Sequence, residues 1–199
     1  MTGRVVCLGD VMVDVLAVLG GPLAVGSDTP APISYGHGGS AANTSAWLAS
    51  VGAAASFVGK IGDDAFGREA VNTLTAQGVS VSVIIDPTTP TGTCIVLVGP
   101  DGERTMIPSA GANDTLAPED LDTDFVNGAD HLHLSAYSLL RAGSRDAALA
   151  ALAYAAANRV SVSIDAASAD LLRAAGTERF LSWLPADGLF IANADEAGS

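Results

Sequence analysis

Short β-branched runs alternate with helical stretches along this chain, and no other feature restricts its fold as much. Val5-Val6-Cys7-Leu8 reads as a first strand and Ala55 to Val58 as another, followed by His131 to Leu134, Val160 to Ile164 and Leu189 to Ala192. Between them lie Ala65 to Gln77, closed by Gly78, and Asp146 to Asn158, whose Leu149, Leu152, Ala153 and Ala156 form an apolar stripe at helical spacing. This alternation predicts an α/β fold, a doubly wound and mostly parallel sheet with helices on both faces. The 199 residues, 49% of them hydrophobic, suffice for one domain with an attached lobe, and no composition shift, repeat or low-complexity tract divides them.

Two segments, about 11–35 and 91–110, depart from the alternation. The first holds Val13-Asp14-Val15-Leu16-Ala17-Val18-Leu19 and then Gly20-Gly21-Pro22; the second holds two β-type runs joined by Pro100-Asp101-Gly102-Glu103, a strong hairpin signal. Together they are expected to form a small antiparallel β lid outside the main sheet. It reads as a lid or as the surface of a homodimer, with a purely decorative hairpin as the alternative.

The run Gly38-Gly39-Ser40-Ala41-Ala42-Asn43 sits where a strand should hand over to a helix. Adjacent glycines let a backbone turn tightly and approach a ligand, and the amides that open the next helix can bind oxygen-rich groups. A polar small molecule is the natural guest. Thr44, Trp47, Leu48 and Val51 follow the i, i+3, i+4, i+7 spacing of one buried helix face that ends at Gly52. Asn43 then lies in the first turns, beside the glycines.

The formal charge of −13, with only nine scattered lysines and arginines, excludes a reader of the nucleic-acid backbone. Cys7 and Cys94 sit inside apolar strand-like runs without metal-ligand spacing, and read as buried small hydrophobes in a reducing compartment. Asp10 and Asp14 interrupt the apolar opening, so neither a signal peptide nor a membrane span is expected there, and the expected setting is the cytoplasm.

Ligands of open α/β sheets bind beyond the carboxyl ends of the strands, and those ends carry Asp10, Asp14, Asp165 and Asn193. Each can equally cap a helix or turn. Asp14 is the least ordinary, since a carboxylate amid Val11, Val13, Val15 and Leu16 needs a partner if buried. His131 and His133 share a strand face and read as packing rather than as a metal pair; His37 reads as a turn histidine near solvent. Trp47 and Trp183 read as core anchors, and Asp120-Leu121-Asp122-Thr123-Asp124 as a solvated helix start rather than a calcium loop.

These residues together resemble the ribokinase-like, or PfkB-type, carbohydrate and nucleoside kinases. The resemblance runs through Gly9 and Asp14, the Gly38 to Asn43 run, Gly52, Val58-Gly59, Gly62-Asp63-Asp64 and Gly67. It continues through Asp101-Gly102-Glu103-Arg104, Gly111-Ala112-Asn113 and Asn193-Ala194-Asp195-Glu196-Ala197. It implies ATP and Mg2+ as cofactors and a sugar or nucleoside hydroxyl as phosphoryl acceptor. Asp14 would bind sugar hydroxyls, Gly38, Gly39 and Asn43 would line the pocket, and Asn113 would touch the substrate from the return strand of the lid. Asn193 and Glu196 would sit on the nucleotide side, Glu196 helping to hold water-coordinated Mg2+.

Departures from the family pattern limit what the resemblance carries. Many relatives have lysine where Ser40 stands, some have an acidic sugar contact near Ser135, and Asp165-Ala166-Ala167 lacks the Asp-Pro-Asn of several branches. A Gly-Ala-Gly-Asp turn, which in the family supplies the anion hole and catalytic base, does not occur in residues 1–199. The base is therefore expected beyond Ser199, and the 199-residue chain is expected to be inactive alone. Two other readings stand beside this one. One is a non-catalytic sugar-binding or dimerising module. The other is an NAD-dependent oxidoreductase, since Gly36-His37-Gly38-Gly39-Ser40-Ala41 fits Gly-x-Gly-x-x-Ala, although a strand and a flap precede it.

Overall fold

The computed structural model describes residues 3–122 and 124–198. Six strands form one parallel sheet in the order β10-β9-β8-β1-β4-β5. They are β1 (Arg4–Leu8), β4 (Ala54–Gly62), β5 (Ser80–Asp86), β8 (His131–Ser135), β9 (Ser161–Asp165) and β10 (Leu189–Ile191). Successive strand side chains point to opposite faces, which separates two cores. On one face Phe57 and Ile61 of β4 meet α1 (Ser40–Ser50) and α2 (Ala65–Ala76) through Ala41, Ala42, Ala70 and Leu74. On the other, Val6, Leu8, Val58, Leu132 and Leu134 meet α3 (Ala136–Leu140) and α4 (Arg145–Ala157). The doubly wound expectation holds. The reading from the sequence omitted β5, α3 and the short helices α5 (Ala169–Ala175), α6 (Thr177–Leu181) and α7 (Ala194–Ala197).

The lid is a separate four-stranded sheet in the order β3-β2-β6-β7, made of β2 (Met12–Val18), β3 (Ile33–Gly38), β6 (Gly92–Val98) and β7 (Arg104–Ser109). It is mixed rather than antiparallel, because β2 and β6 pair in parallel with Met12 opposite Gly92. The reason is topological. β2 follows β1 and β6 follows β5, both leaving the carboxyl end of the parallel strands, so the two outgoing strands run alike while β3 and β7 return antiparallel to them. The Pro100 to Glu103 turn closes as expected, with the Gly99 amide donating to the Glu103 carbonyl at 2.8 Å.

Two buttresses fix the base of the lid. Asp64, the N-cap of α2, accepts from the Gly67 amide at 2.8 Å, the Thr91 amide at 2.7 Å and the Thr91 hydroxyl at 2.8 Å. Asp86, at the end of β5, accepts from the Thr115 hydroxyl at 2.7 Å and from the Thr88 and Thr89 amides at 2.9 and 2.8 Å. The Gly62-Asp63-Asp64 to Gly67 signature thus ties β6 to the body of the fold.

The apolar face of α1 is not the one expected. Ala41, Ala42 and Ser45 are buried, whereas Trp47 and Val51 are 73% and 76% exposed. The helix lies so close to the sheet that only small side chains fit beneath it, and Trp47 is no core anchor. In α4 the buried set is Ala147, Ala148, Ala151, Leu152 and Ala155, while Ala153 and Ala156 face outward. An alanine-rich helix has too little contrast in hydropathy to declare its inner face. Trp183 does pack against the larger core. Asp120 is not a solvated helix start: it accepts from the Ala117 amide at 2.9 Å and pairs with Lys60 at 2.7 Å, while Thr123 of that cluster lies outside the described residues. Cys7 and Cys94 are buried and unpaired, and burial pushes the Cys7 thiol up to about 12. Among the described residues, no helix is long and apolar enough to cross a membrane.

Candidate active site

The handover from β3 to α1 passes directly over the strand end that carries Asp10. Gly39 caps α1 at φ 98°, and a β-carbon there would meet the Asp10 carbonyl oxygen at 2.5 Å and the Val11 α-carbon at 2.7 Å. A β-carbon at Gly38 would press on the Asp14 carboxylate, with Cγ at 2.7 Å. Gly39 is therefore required by close backbone approach of the turn to the exit of β1, whereas at Gly38 it is the Asp14 side chain, a neighbour within the lid, that would have to move. The Asp10 side chain, 3% exposed, accepts from the Ser40 amide at 3.0 Å, and its carbonyl accepts from the Ala42 amide at 3.2 Å. Asp10 thus occupies amides that the sequence suggested would be open to a ligand, and its charge suits the positive end of the helix.

Asp14 lies at the centre of β2, paired with Gly36 on one side and Cys94 on the other, and its carboxylate rests on Gly38. It is half-buried. Burial raises its pKa above the ordinary carboxylate value; Arg104 on β7 draws it back, Asp10 raises it further and His37 lowers it. A carboxylate in this position is strongly disposed to accept hydrogen bonds from hydroxyl groups. His37 itself is in β3 rather than a turn, and its Nε2 lies 3.0 Å from the Thr73 hydroxyl.

Ser40 joins the strand ends. Its hydroxyl donates to Asp165 at the end of β9, and its amide goes to Asp10 at the end of β1. Behind Asp165 stands buried His133, with Nε2 at 3.6 Å from the same carboxylate oxygen and Nδ1 at 2.9 Å from the Ser163 hydroxyl. His133 is therefore part of a polar chain rather than plain packing, and Ser40 is the residue through which Asp10 and Asp165 meet. The sequence signal for both was weak: a strand histidine two residues before Ser135, and a serine among small residues.

The other expected residues fall apart from this centre. Asn43 is exposed on α1 and lines a groove with Ala46, Trp47, Ser50 and Gln77. Asn113 is not on the return strand of the lid but in a 3-10 turn, Gly111–Thr115, where it is buried. Its side chain accepts from the Val11 amide at 3.0 Å and donates to the Val11 and Ala110 carbonyls at 2.9 Å each. Its polar atoms are thus committed to bolting the exit of β1 to the return of the lid. Asn193 and Glu196 form a reciprocal capping box at the start of α7, each side chain accepting from the other's amide at 2.9 Å. Tyr137, opening α3, lies within reach of the charges of Asp10, Asp165 and Glu196, with the Arg141 guanidinium 5.0 Å from its ring centre. It links the strand ends to the α7 side and went unnoticed in the sequence.

A family model described as pfkB family carbohydrate kinase matches residues 2–199. The chain belongs to this family. Among curated relatives, a fructokinase of Klebsiella pneumoniae is 35% identical over 157 residues, covering 76% of this chain and 47% of that protein. An ATP-dependent ribose-1-phosphate kinase of Halopiger xanaduensis is 37% identical over 99 residues, covering 49% of this chain and 33% of that protein. The chain spans less than half the length of these relatives. Among solved structures, the adenosine kinase of Sinorhizobium meliloti superposes with a TM-score of 0.86 at 26% identity, covering 99% of this chain and 67% of that one. The fructokinase of Xylella fastidiosa with bound ATP gives 0.71 at 24% identity, covering 83% and 52%. Within this pfkB fold the Gly36 to Ala41 run leaves a strand of the lid rather than of the parallel sheet, which lends the dinucleotide reading no support.

Proposed function

We propose that the chain forms the acceptor-binding half of a kinase that transfers the γ-phosphoryl group of ATP to a hydroxyl of a sugar or nucleoside. The observation that carries this reading is the half-buried Asp14 carboxylate, held on Gly38 where the lid meets the edge of the sheet that bears Asp10 and Asp165. Asp14, with Gly38 and Gly39 as its close-fitting floor, takes hydroxyls of the acceptor. Asn43 faces a separate groove on α1 and is given no contact with the acceptor, and Asn113 acts by fixing the strand exit rather than through its own committed polar atoms.

The nucleotide side falls to Asn193 and Glu196. Among the described residues, no cluster of three or more His, Cys, Asp or Glu forms a metal cage. Mg2+ at a nucleotide does not require one, since it keeps most of its waters and takes one or two carboxylates together with phosphate oxygens. Glu196, partly exposed at the start of α7, fits as one such carboxylate, and Mg2+ bound there with ATP would neutralise phosphate charge. The lid exposes Val18, Ile33, Tyr35, Ile95, Met106 and Ile107, an apolar set that suits a homodimer. We place the protein in the cytoplasm, in keeping with its two unpaired cysteines.

Residues 1–199 contain no Gly-Ala-Gly-Asp turn to supply a base and anion hole, so recognition without turnover is expected of them alone. Calorimetry across pentoses, hexoses and nucleosides, beside an ATP-consumption assay on the same panel, tests both halves of the reading. Binding of at least one acceptor without turnover supports it. Robust turnover overturns the assignment of the base elsewhere, and NADH binding without sugar binding overturns the kinase reading. Sugar binding without nucleotide affinity would instead favour the non-catalytic module.

A further inference from the structure

The polar chain behind Ser40 can be followed proton by proton. Its far end is fixed: the Ser161 hydroxyl donates to the Asp130 carbonyl at 2.8 Å, so toward His131 Nδ1, also at 2.8 Å, it can only accept. His131 Nδ1 therefore carries a proton. If His131 is neutral, its Nε2 accepts from the Ser163 hydroxyl at 2.7 Å. Ser163 then accepts in turn from His133 Nδ1 at 2.9 Å. The remaining nitrogen, His133 Nε2, faces Asp165 at 3.6 Å, and a bare lone pair against a carboxylate in this buried position is repulsive. It needs a proton.

If His131 is charged instead, every direction between the rings reverses, yet His133 Nε2 still carries the proton toward Asp165. Either way the hydrogen-bond pattern leaves one proton more than two neutral rings carry, and His133 Nε2 is the atom that presents a proton to Asp165. Burial, and after it the neighbouring His133, push the His131 pKa below its ordinary value.

The consequence reaches the pocket through Ser40. Asp165 faces His133 Nε2 from behind at 3.6 Å, the distance of an ion pair rather than of a hydrogen bond, and accepts the Ser40 hydroxyl proton in front. The Ser40 amide is committed to Asp10. What Ser40 still offers is lone pairs alone, beside the Asp10, Asp14 and Asp165 carboxylates, with Arg104 and, less strongly, His37 drawing the Asp14 pKa down. Asp10 Oδ1, Asp165 Oδ1, Ser135 Oγ and His133 Nε2 itself are buried without a hydrogen-bond partner among the described residues. A guest that donates hydrogen bonds suits this setting, whereas one that brings anionic oxygens meets carboxylates and lone pairs.

We propose that His133 and Asp165 are positioning residues that make Ser40 an acceptor-only contact, so that the pocket takes an uncharged polyhydroxy molecule and turns away sugar phosphates and sugar acids. This rests on the acceptor-site reading above. Two measurements on the 199-residue protein separate them. Nitrogen-15 NMR of the histidine rings is expected to show a protonated His133 Nε2 in the wild type and a changed ring environment in Asp165→Asn; a bare His133 Nε2 overturns the relay whether or not any sugar binds.

Calorimetry with D-fructose, D-ribose and adenosine is compared with D-ribose 5-phosphate and D-gluconate. An uncharged acceptor is expected to bind at least tenfold more tightly than either anion. Ser40→Ala and Asp165→Asn should each weaken it about tenfold, the double variant no more than either single one, and Ser40→Thr should retain most of the affinity. A phosphorylated or acidic sugar that binds as well as the neutral ones, or additive losses in the double variant, overturns the specificity claim. Binding of none of the five, with the NMR signature intact, overturns the acceptor-site reading and leaves the relay standing.

Discussion

At the scale of single residues, the site is built from conflicts that a carboxylate or a glycine resolves. Asp14 is held where burial opposes its charge, so its folded pKa lies above its unfolded one. Its proton is bound more tightly in the folded state, and stability is lost as pH rises from the ordinary carboxylate value through the raised one. Asp14→Asn should therefore raise the melting temperature at pH 7 by about 1–3 °C while weakening acceptor binding. Thermal unfolding of both proteins checks this, and a lower melting temperature for the variant would contradict it. Gly39→Ala should do the reverse. The positive φ alone costs about 1–3 kcal/mol, and the new methyl would run into the Asp10 carbonyl, so urea unfolding should show at least that loss.

At the scale of elements, periodicity located strands and helices well but misjudged which helix faces are buried. The strands were legible because β-branched runs bounded by glycine and aspartate are distinctive, as in Val5 to Leu8. The face of α1 was not, because Trp47 and Val51 are apolar yet exposed while the buried positions hold only Ala41, Ala42 and Ser45. Trp47→Ala should accordingly change stability by less than about 0.5 kcal/mol, whereas Phe57→Ala, in the core beneath α1, should cost about 3–5 kcal/mol.

The lid was legible as two departures from alternation, but its parallel β2–β6 seam depends on pairing across 80 residues of sequence, from Met12 to Gly92. Its base has its own pH signature. Burial raises the Asp64 pKa, yet the Thr91 and Gly67 amides, the Thr91 hydroxyl and Arg68 together pull it below the ordinary value. The Thr115 hydroxyl and the Thr88 and Thr89 amides hold Asp86 lower still. Depressed carboxylates stabilise above the ordinary carboxylate range and lose that contribution as pH falls through the folded values. Amide exchange in β6 and β7, corrected for its intrinsic pH dependence, should therefore lose protection from about pH 4 downward ahead of β1 and β8. Simultaneous loss across both sheets would count against a lid anchored this way.

At the scale of the whole molecule, a chain of formal charge −13 has one edge that is itself acidic, with Asp10 and Asp165 bonded to Ser40 at the start of α1 and Asp14 resting on Gly38 just before it. The family was legible from the spacing of glycines and acids over the length of the chain. The roles of Ser40, His133 and Tyr137 were not, because each depends on which strands lie side by side. The most direct test of the central claim, that Asp14 and the glycine turn bind a hydroxyl-bearing acceptor, is calorimetric titration of the wild type and Asp14→Asn with the same neutral sugars and nucleosides. At least one should bind the wild type and lose about tenfold or more in affinity to a correctly folded Asp14→Asn. Equal affinity for both proteins, or no binding by the wild type, would contradict it.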